Sequence, residues 1–343
     1  MRKLLLIFGL LCLLAVPASA LELTAPTVPQ VQPDSGRSFG EDLLEVLGDA
    51  LSRLRPDLGE AARACVTVLA AGMAAGMLTC IPGKPQGAVE LAGTVLTAAA
   101  LLEPARSLIA LGMDTVTQLS EYEKLLLPVM TAALAAQGGV SASAALYAGT
   151  AAFNALMSTL VSGVLISAVW IYLALSVAYA ALGEEMLKKL RDQVRSLLIW
   201  GLKIILYVYT GYISITGVVS GTTDASLLKA AKLTISGAVP VVGGILSDAS
   251  EAVLTSAAVV KNAAGIYGLL AVAAMWIEPF LRIGVHYLML KAAAAVSGVF
   301  GVRAVTGMAE DFASAMGLLL AMTGTMCLML IISTICFLKG VGG

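Results

Sequence analysis

A chain of 343 residues with 59% hydrophobic and only 13% charged residues is too apolar for a water-soluble globule, where about a quarter of residues are charged. With mean hydropathy +0.93 and a net charge of −1, it fits a multi-span membrane protein and offers no basic field for nucleic acid. The cysteines (Cys12, Cys65, Cys80, Cys327 and Cys336) lie in or beside apolar runs without metal-ligand spacing, so they read as small apolar residues rather than a disulfide framework.

In chain order, residues 1–20 have the pattern of a secretory signal peptide. Arg2 and Lys3 precede the apolar run Leu4–Val16, and Ala18-Ser19-Ala20 forms a small-residue cleavage site. Residues 21–39 are rich in Pro, Thr, Ser and Gln and predict an extracytoplasmic, poorly ordered arm. Over 40–55, Leu43, Leu44, Leu47, Leu51 and Leu54 recur at helical spacing among acidic residues. This amphipathic helix has three candidate resting places: its own protein, a partner or the membrane surface. The multi-span domain then occupies 56–343.

Pro56 can open a helix that becomes the first span, near Ala61–Cys80. Pro82-Gly-Lys-Pro85 ends it. A second span is expected over Gly87–Gly112, where Glu103 and Arg106 stand three residues apart and can neutralise one another. The acidic stretch Asp114–Lys124 predicts a loop. After it, the short apolar run Leu125–Ala136 contains Pro128 and ends at Gln137-Gly-Gly139, the pattern of a broken, re-entrant segment. A third span follows over Ala151–Leu182. Residues 183–203 carry Lys188, Lys189, Arg191, Arg195 and Lys203 on an amphipathic pattern, which the positive-inside rule places in the cytoplasm. A fourth span is expected over Leu197–Val219, a fifth over Ala252–Ile277, a sixth over Ile283–Val302 and the last over Phe312–Leu338. Glu278 and Arg282 form a second helix-spaced acid–base pair. The fold class is therefore an all-α polytopic membrane protein. It has about seven transmembrane helices and one or two proline-broken re-entrant segments, after a signal peptide.

The stretch from Gly217 to Asn262 is anomalous in this apolar setting. It carries Asp224, Lys229, Lys232, Asp248 and, within the fifth span, Lys261 and Asn262. Pro240-Val-Val-Gly243-Gly244 interrupts it. Irregular or charged backbone at membrane depth is tolerated only where protein or a water-filled cavity surrounds it. These residues, with Pro128, are the candidates for lining a passage or docking a partner. The alternative is an outer loop with ordinary surface charges and a snorkelling lysine. The two proline-broken segments, 128–139 and 240–248, each precede a long span. Such matched breaks in two halves also mark binding sites in secondary transporters.

Enzyme chemistry has no visible footing. The single histidine, His286, cannot build HExxH, the GxSxG elbow is absent, and no P-loop supplies an ATPase. No cofactor is implied.

Several of these stretches resemble the stage III sporulation protein AE family. They are Ser220-Gly-Thr-Thr-Asp224, Lys229-Ala-Ala-Lys232, Val239-Pro-Val-Val-Gly243, Ser247-Asp248-Ala249, Lys261-Asn262-Ala-Ala-Gly265, and Pro128-Val-Met followed by Gln137-Gly-Gly139. The resemblance covers most of the chain after the arm and is strongest from about 200 to 300. It implies a membrane protein of the mother cell in endospore-forming bacteria. The implied partners are other proteins of the stage III sporulation A operon, including a secretion-type ATPase and ring-forming proteins, together with a partner in the forespore membrane. The implied assembly is a channel or feeding apparatus across the two membranes around the forespore. It brings no catalytic residue. The competing function is a self-sufficient secondary transporter with its site at 128–139 and 240–248.

Overall fold

The computed structural model describes the backbone of residues 39–79, 86–136, 140–238, 243–300 and 303–339. Side-chain surroundings are described within these except at 78–79, 86–90, 140–142, 146, 162, 214–238, 243–264, 300 and 339. Every described element is a helix. They are α1 (Phe39–Arg53), α2 (Arg55–Thr79), α3 (Gln86–Ala136), α4 (Val140–Thr159), α5 (Ile166–Leu182), α6 (Glu185–Ala238), α7 (Gly243–Ser297) and α8 (Arg303–Lys339). A π-helical segment, Leu160–Leu165, joins α4 to α5, and one 3-10 turn, Gly298–Phe300, follows α7. Among the described residues six stretches are long and apolar enough to cross a membrane: Arg55–Met77, Leu91–Ala136, Ser143–Leu182, Glu185–Ile213, Gly265–Ser297 and Arg303–Leu338. The signal peptide and the arm expected over 1–38 lie outside the described residues.

The helices are fewer and longer than the hydropathy pattern predicts. The loop expected over Asp114–Lys124 is part of α3. Its buried residues Thr115, Val116, Leu119, Ser120 and Glu123 recur at helical spacing, while acids such as Asp114 lie on the outer face. Pro128 does not break the chain either: α3 runs through it, and through Pro104, to Ala136. A proline removes one backbone hydrogen bond, a loss that packed membrane helices absorb. Residues 137–139 lie outside the described residues. The fourth span and the charged stretch before it form one helix, α6. The expected fifth and sixth spans are likewise one helix, α7, which passes through Pro279. At 1.5 Å per residue, α3, α6 and α7 are about 75–85 Å long, well over twice the hydrocarbon core of a bilayer.

The bundle is organised around α8, which touches each of α2 to α7. Of its spanning window 61% is buried, against 22–39% for the other five. A helix apolar all round belongs in a core. Buried Met308, Met316, Met322, Met326 and Met329 let it conform to unlike neighbours. On α1, Ala50 faces inward, as does Leu54 just after it, and the stripe Leu44, Leu47, Leu51 is exposed.

Charges fasten α1 and α2 to α7. Arg282 Nε lies 2.8 Å from Asp57 Oδ1, and Arg53 Nη1 lies 3.3 Å from Glu278 Oε2. The first contact is an ion pair without hydrogen-bond alignment. Glu278 and Arg282, expected to pair with each other along the helix, instead hold two different helices. Glu103 and Arg106 are both exposed on α3.

The reversal between α5 and α6 depends on Gly183. Its φ of +70° is left-handed, and its N–H donates to Tyr179 O at 2.8 Å. A β-carbon there costs about 1–2 kcal/mol. Gly183→Val should therefore lower the Tm of the purified chain, and Gly183→Asn should lower it less.

Candidate functional site

The residues singled out by sequence do not assemble into one described site. Asp224, Lys229 and Lys232 lie on the continuous backbone of α6. Gly243, Gly244 and Asp248 occupy the first turns of α7, and Lys261 and Asn262 follow on the same helix. Their side-chain surroundings are not described, apart from the backbone they stand on. Pro240 lies outside the described residues. Pro128 is exposed on α3. The backbone from Gly217 to Ala238 is helix, and the interruption expected at Pro240 falls at 239–242, outside the described residues.

Two polar clusters that the sequence pattern hides do assemble. The first joins α5, α6 and α8. Arg191 Nη1 donates to Asp311 Oδ2 at 2.7 Å, and the Tyr172 hydroxyl donates to Asp311 Oδ1 at 3.1 Å. Arg191 also donates to Asp192 Oδ1 through Nε and Nη2, at 3.0 and 2.9 Å, and its guanidinium lies 5.2 Å from the centre of the Tyr179 ring. The side chains of Arg191 and Asp311 are 13% and 12% exposed, so the charges are compensated mainly by each other. Asp311 sits at the polar edge expected before the last span, and Arg191 belongs to the expected amphipathic stretch. Their separation in sequence gives no sign that they meet.

The second set of contacts links residues of α3, α4, α6 and α8. The Tyr209 hydroxyl donates to Met329 O at 2.9 Å. Ser333 Oγ donates to Thr150 Oγ1 at 3.5 Å. Asn154 Nδ2 donates to Ser120 O at 3.2 Å. Glu123, one helical turn beyond Ser120, is buried. A serine-to-glutamate spacing of three, read as helix, is the one signal that could have placed Glu123 on an inner face.

The remaining surface is apolar and interrupted by outward charges. Glu103 and Arg106 stand midway along the apolar stretch 91–113 of α3, and Lys291 stands within the apolar end of α7 beside Leu288. On α6, Asp192, Arg195, Ser196, Ile199, Trp200 and Lys203 line an open hollow along one exposed stripe. No group of three or more potential metal ligands occurs among the described residues.

The arrangement is that of a helical bundle with polar contacts inside and charged stripes outside, and it parallels known proteins at the level of sequence. The model of the stage III sporulation protein AE family matches residues 88–340. Stage III sporulation protein AE of Bacillus subtilis (strain 168) is 25% identical over 186 residues. That match covers 53% of this chain and 46% of the relative, so the chain spans about half the length of the curated relative it matches. No solved structure matches. Matched over most of its length, this multi-pass helical membrane chain belongs to the stage III sporulation protein AE family.

Proposed function

We propose that the chain is a polytopic, non-catalytic component of a secretion-like channel complex between mother cell and forespore. It would sit in the mother-cell membrane around the forespore. Membership of a sporulation family supports the setting. The observation that supports a component of a larger assembly is the outward placement of Glu103, Arg106 and Lys291 within apolar stretches. A charge facing lipid at the centre of a helix costs about 2.5–3.5 kcal/mol. A neighbouring protein or a watered passage removes that cost. The exposed leucine stripe of α1 and the basic stripe of α6 offer further faces for other proteins of the operon, among them its ATPase and ring-forming partners.

Deletion of the gene in its endospore-forming host is the test. Vegetative growth should be unchanged and heat-resistant spore yield should collapse. A tagged copy should restore spores and co-purify with the operon's other products. Substrate uptake by the purified chain alone in liposomes would overturn the reading in favour of a transporter. In the same host, Lys261→Ala should impair late forespore gene expression more than Lys339→Ala. Equal, wild-type spore yield from both would remove Lys261 from the functional surface.

A further inference from the structure

The open hollow on α6, lined by Asp192, Arg195, Ser196, Ile199, Trp200 and Lys203, has a volume of about 400 Å³. That lies within the range of small-molecule sites, about 300–1,000 Å³. The hollow sits at a boundary in the sequence. Asp192 and Arg195 end the charged part of α6, and from Ser196 to Ile213 the one charged residue is Lys203. A lysine in such a run carries its ammonium toward polar surroundings, and here it shares the hollow with Arg195, about two turns earlier. Among the described residues neither base is in an ion pair. The carboxylate of Asp192 is already engaged, since it accepts hydrogen bonds from Arg191 at 3.0 and 2.9 Å. Two bases and one acid leave a single positive charge on the lining. Trp200 is 56% exposed, and Ile204, Tyr207 and Val208 continue an exposed apolar stripe along the same helix. The hollow is thus charged at one end and opens on an apolar track at the other.

We propose that this hollow binds one anionic phospholipid, with the phosphodiester between Arg195 and Lys203 and the acyl chains along Trp200, Ile204 and Tyr207. A phosphodiester carries one negative charge, which matches the lining. The guanidinium offers paired N–H donors to its oxygens, the ammonium adds a point charge, and the Ser196 hydroxyl is a further donor. An indole ring suits the level of the headgroups. A soluble phosphate would occupy the bases and leave the apolar track uncovered, so the amphiphile is the better fit. The proposal needs only a membrane around the chain and goes beyond the channel-complex reading. It leaves Lys188 and Lys189, outside the hollow, to protein partners.

Trp200 itself reports occupancy. Trp170 and Trp276 pack against the core, so fluorescence quenching in the full chain, minus that in Trp200→Phe, isolates the hollow. In detergent, brominated phosphatidylglycerol should quench Trp200 at a far lower mole fraction than brominated phosphatidylcholine, with a preference of about fivefold for each basic residue. Arg195→Gln and Lys203→Gln should each lose about fivefold of it, and the double variant should respond to both lipids alike. Lys203→Arg should keep the preference, and glycerol phosphate should not relieve the quenching. Equal quenching of the unaltered chain by the two lipids would overturn the proposal, as would a preference undiminished in the double variant. Relief by glycerol phosphate would overturn it in favour of a soluble anion. Shielding of Trp200 from both lipids once the operon's other products are added would overturn it in favour of a protein occupant.

Discussion

Arg191→Ala is expected to destabilise the chain by about 3–5 kcal/mol, because it leaves Asp311 buried between α5, α6 and α8 without its cation. The Tyr172 hydroxyl then remains as a donor to that carboxylate. Asp311→Ala should cost less, since Arg191 keeps Asp192 at 2.9 Å and the face of Tyr179. The double variant should be more stable than the sum of the two losses implies, because each partner's cost is chiefly the stranded charge of the other. An apolar pair, Arg191→Met with Asp311→Leu, should recover most of the stability. Thermal unfolding of the purified variants measures all four. Equal losses from the two single alanine variants would show that Asp192 and Tyr179 do not hold the arginine once Asp311 is gone.

The second large effect is steric. The ring of Tyr212 packs directly on Gly149, in the place a β-carbon would take, and its hydroxyl donates to Ala145 O at 2.9 Å. Gly149→Ala must displace a rigid ring and break that hydrogen bond, at a cost of about 1–3 kcal/mol for the overpacking alone. Gly265 is equally covered, here by the side chain of Leu338, which can change rotamer. Gly265→Ala should therefore cost less than Gly149→Ala, although it removes a glycine of the family-like stretch Lys261–Gly265. Truncating the ring in Tyr212→Ala should make Gly149→Ala nearly neutral in the double variant. Persistence of the full penalty would place its origin in the α4 backbone instead.

The sequence makes the class of molecule plain and obscures its joints. Apolar excess identifies the helical membrane bundle, and short fingerprints between 217 and 265 identify the family, because both are local properties. Helix ends are less legible. Charge over Asp114–Lys124 and around Glu278 lowers local hydropathy as a loop would, yet these charges sit on helices that continue. The difference is settled by which face is buried, a property of neighbours distant in sequence. The same applies to polar clusters. Glu278 and Arg282 match an intrahelical pair, but Arg53 and Asp57 compete for them from α1 and α2. Arg191 and Asp311 are 120 residues apart, and no local pattern joins them. The candidate surface from Asp224 to Asn262 was legible as unusual composition and remains a proposal as a site.

The central position of α8 also fixes an order of events during synthesis. The helix that touches all of α2 to α7 leaves the ribosome after them. Until it arrives, six helices share a bilayer without the column that gives them a common interior, and Tyr209 has no Met329 carbonyl to bind. Assembly therefore waits for α8, and the earlier helices must be kept apart from unrelated partners in the meantime. A chain stopped before Arg303 would lose the bundle as a whole and not one span of it.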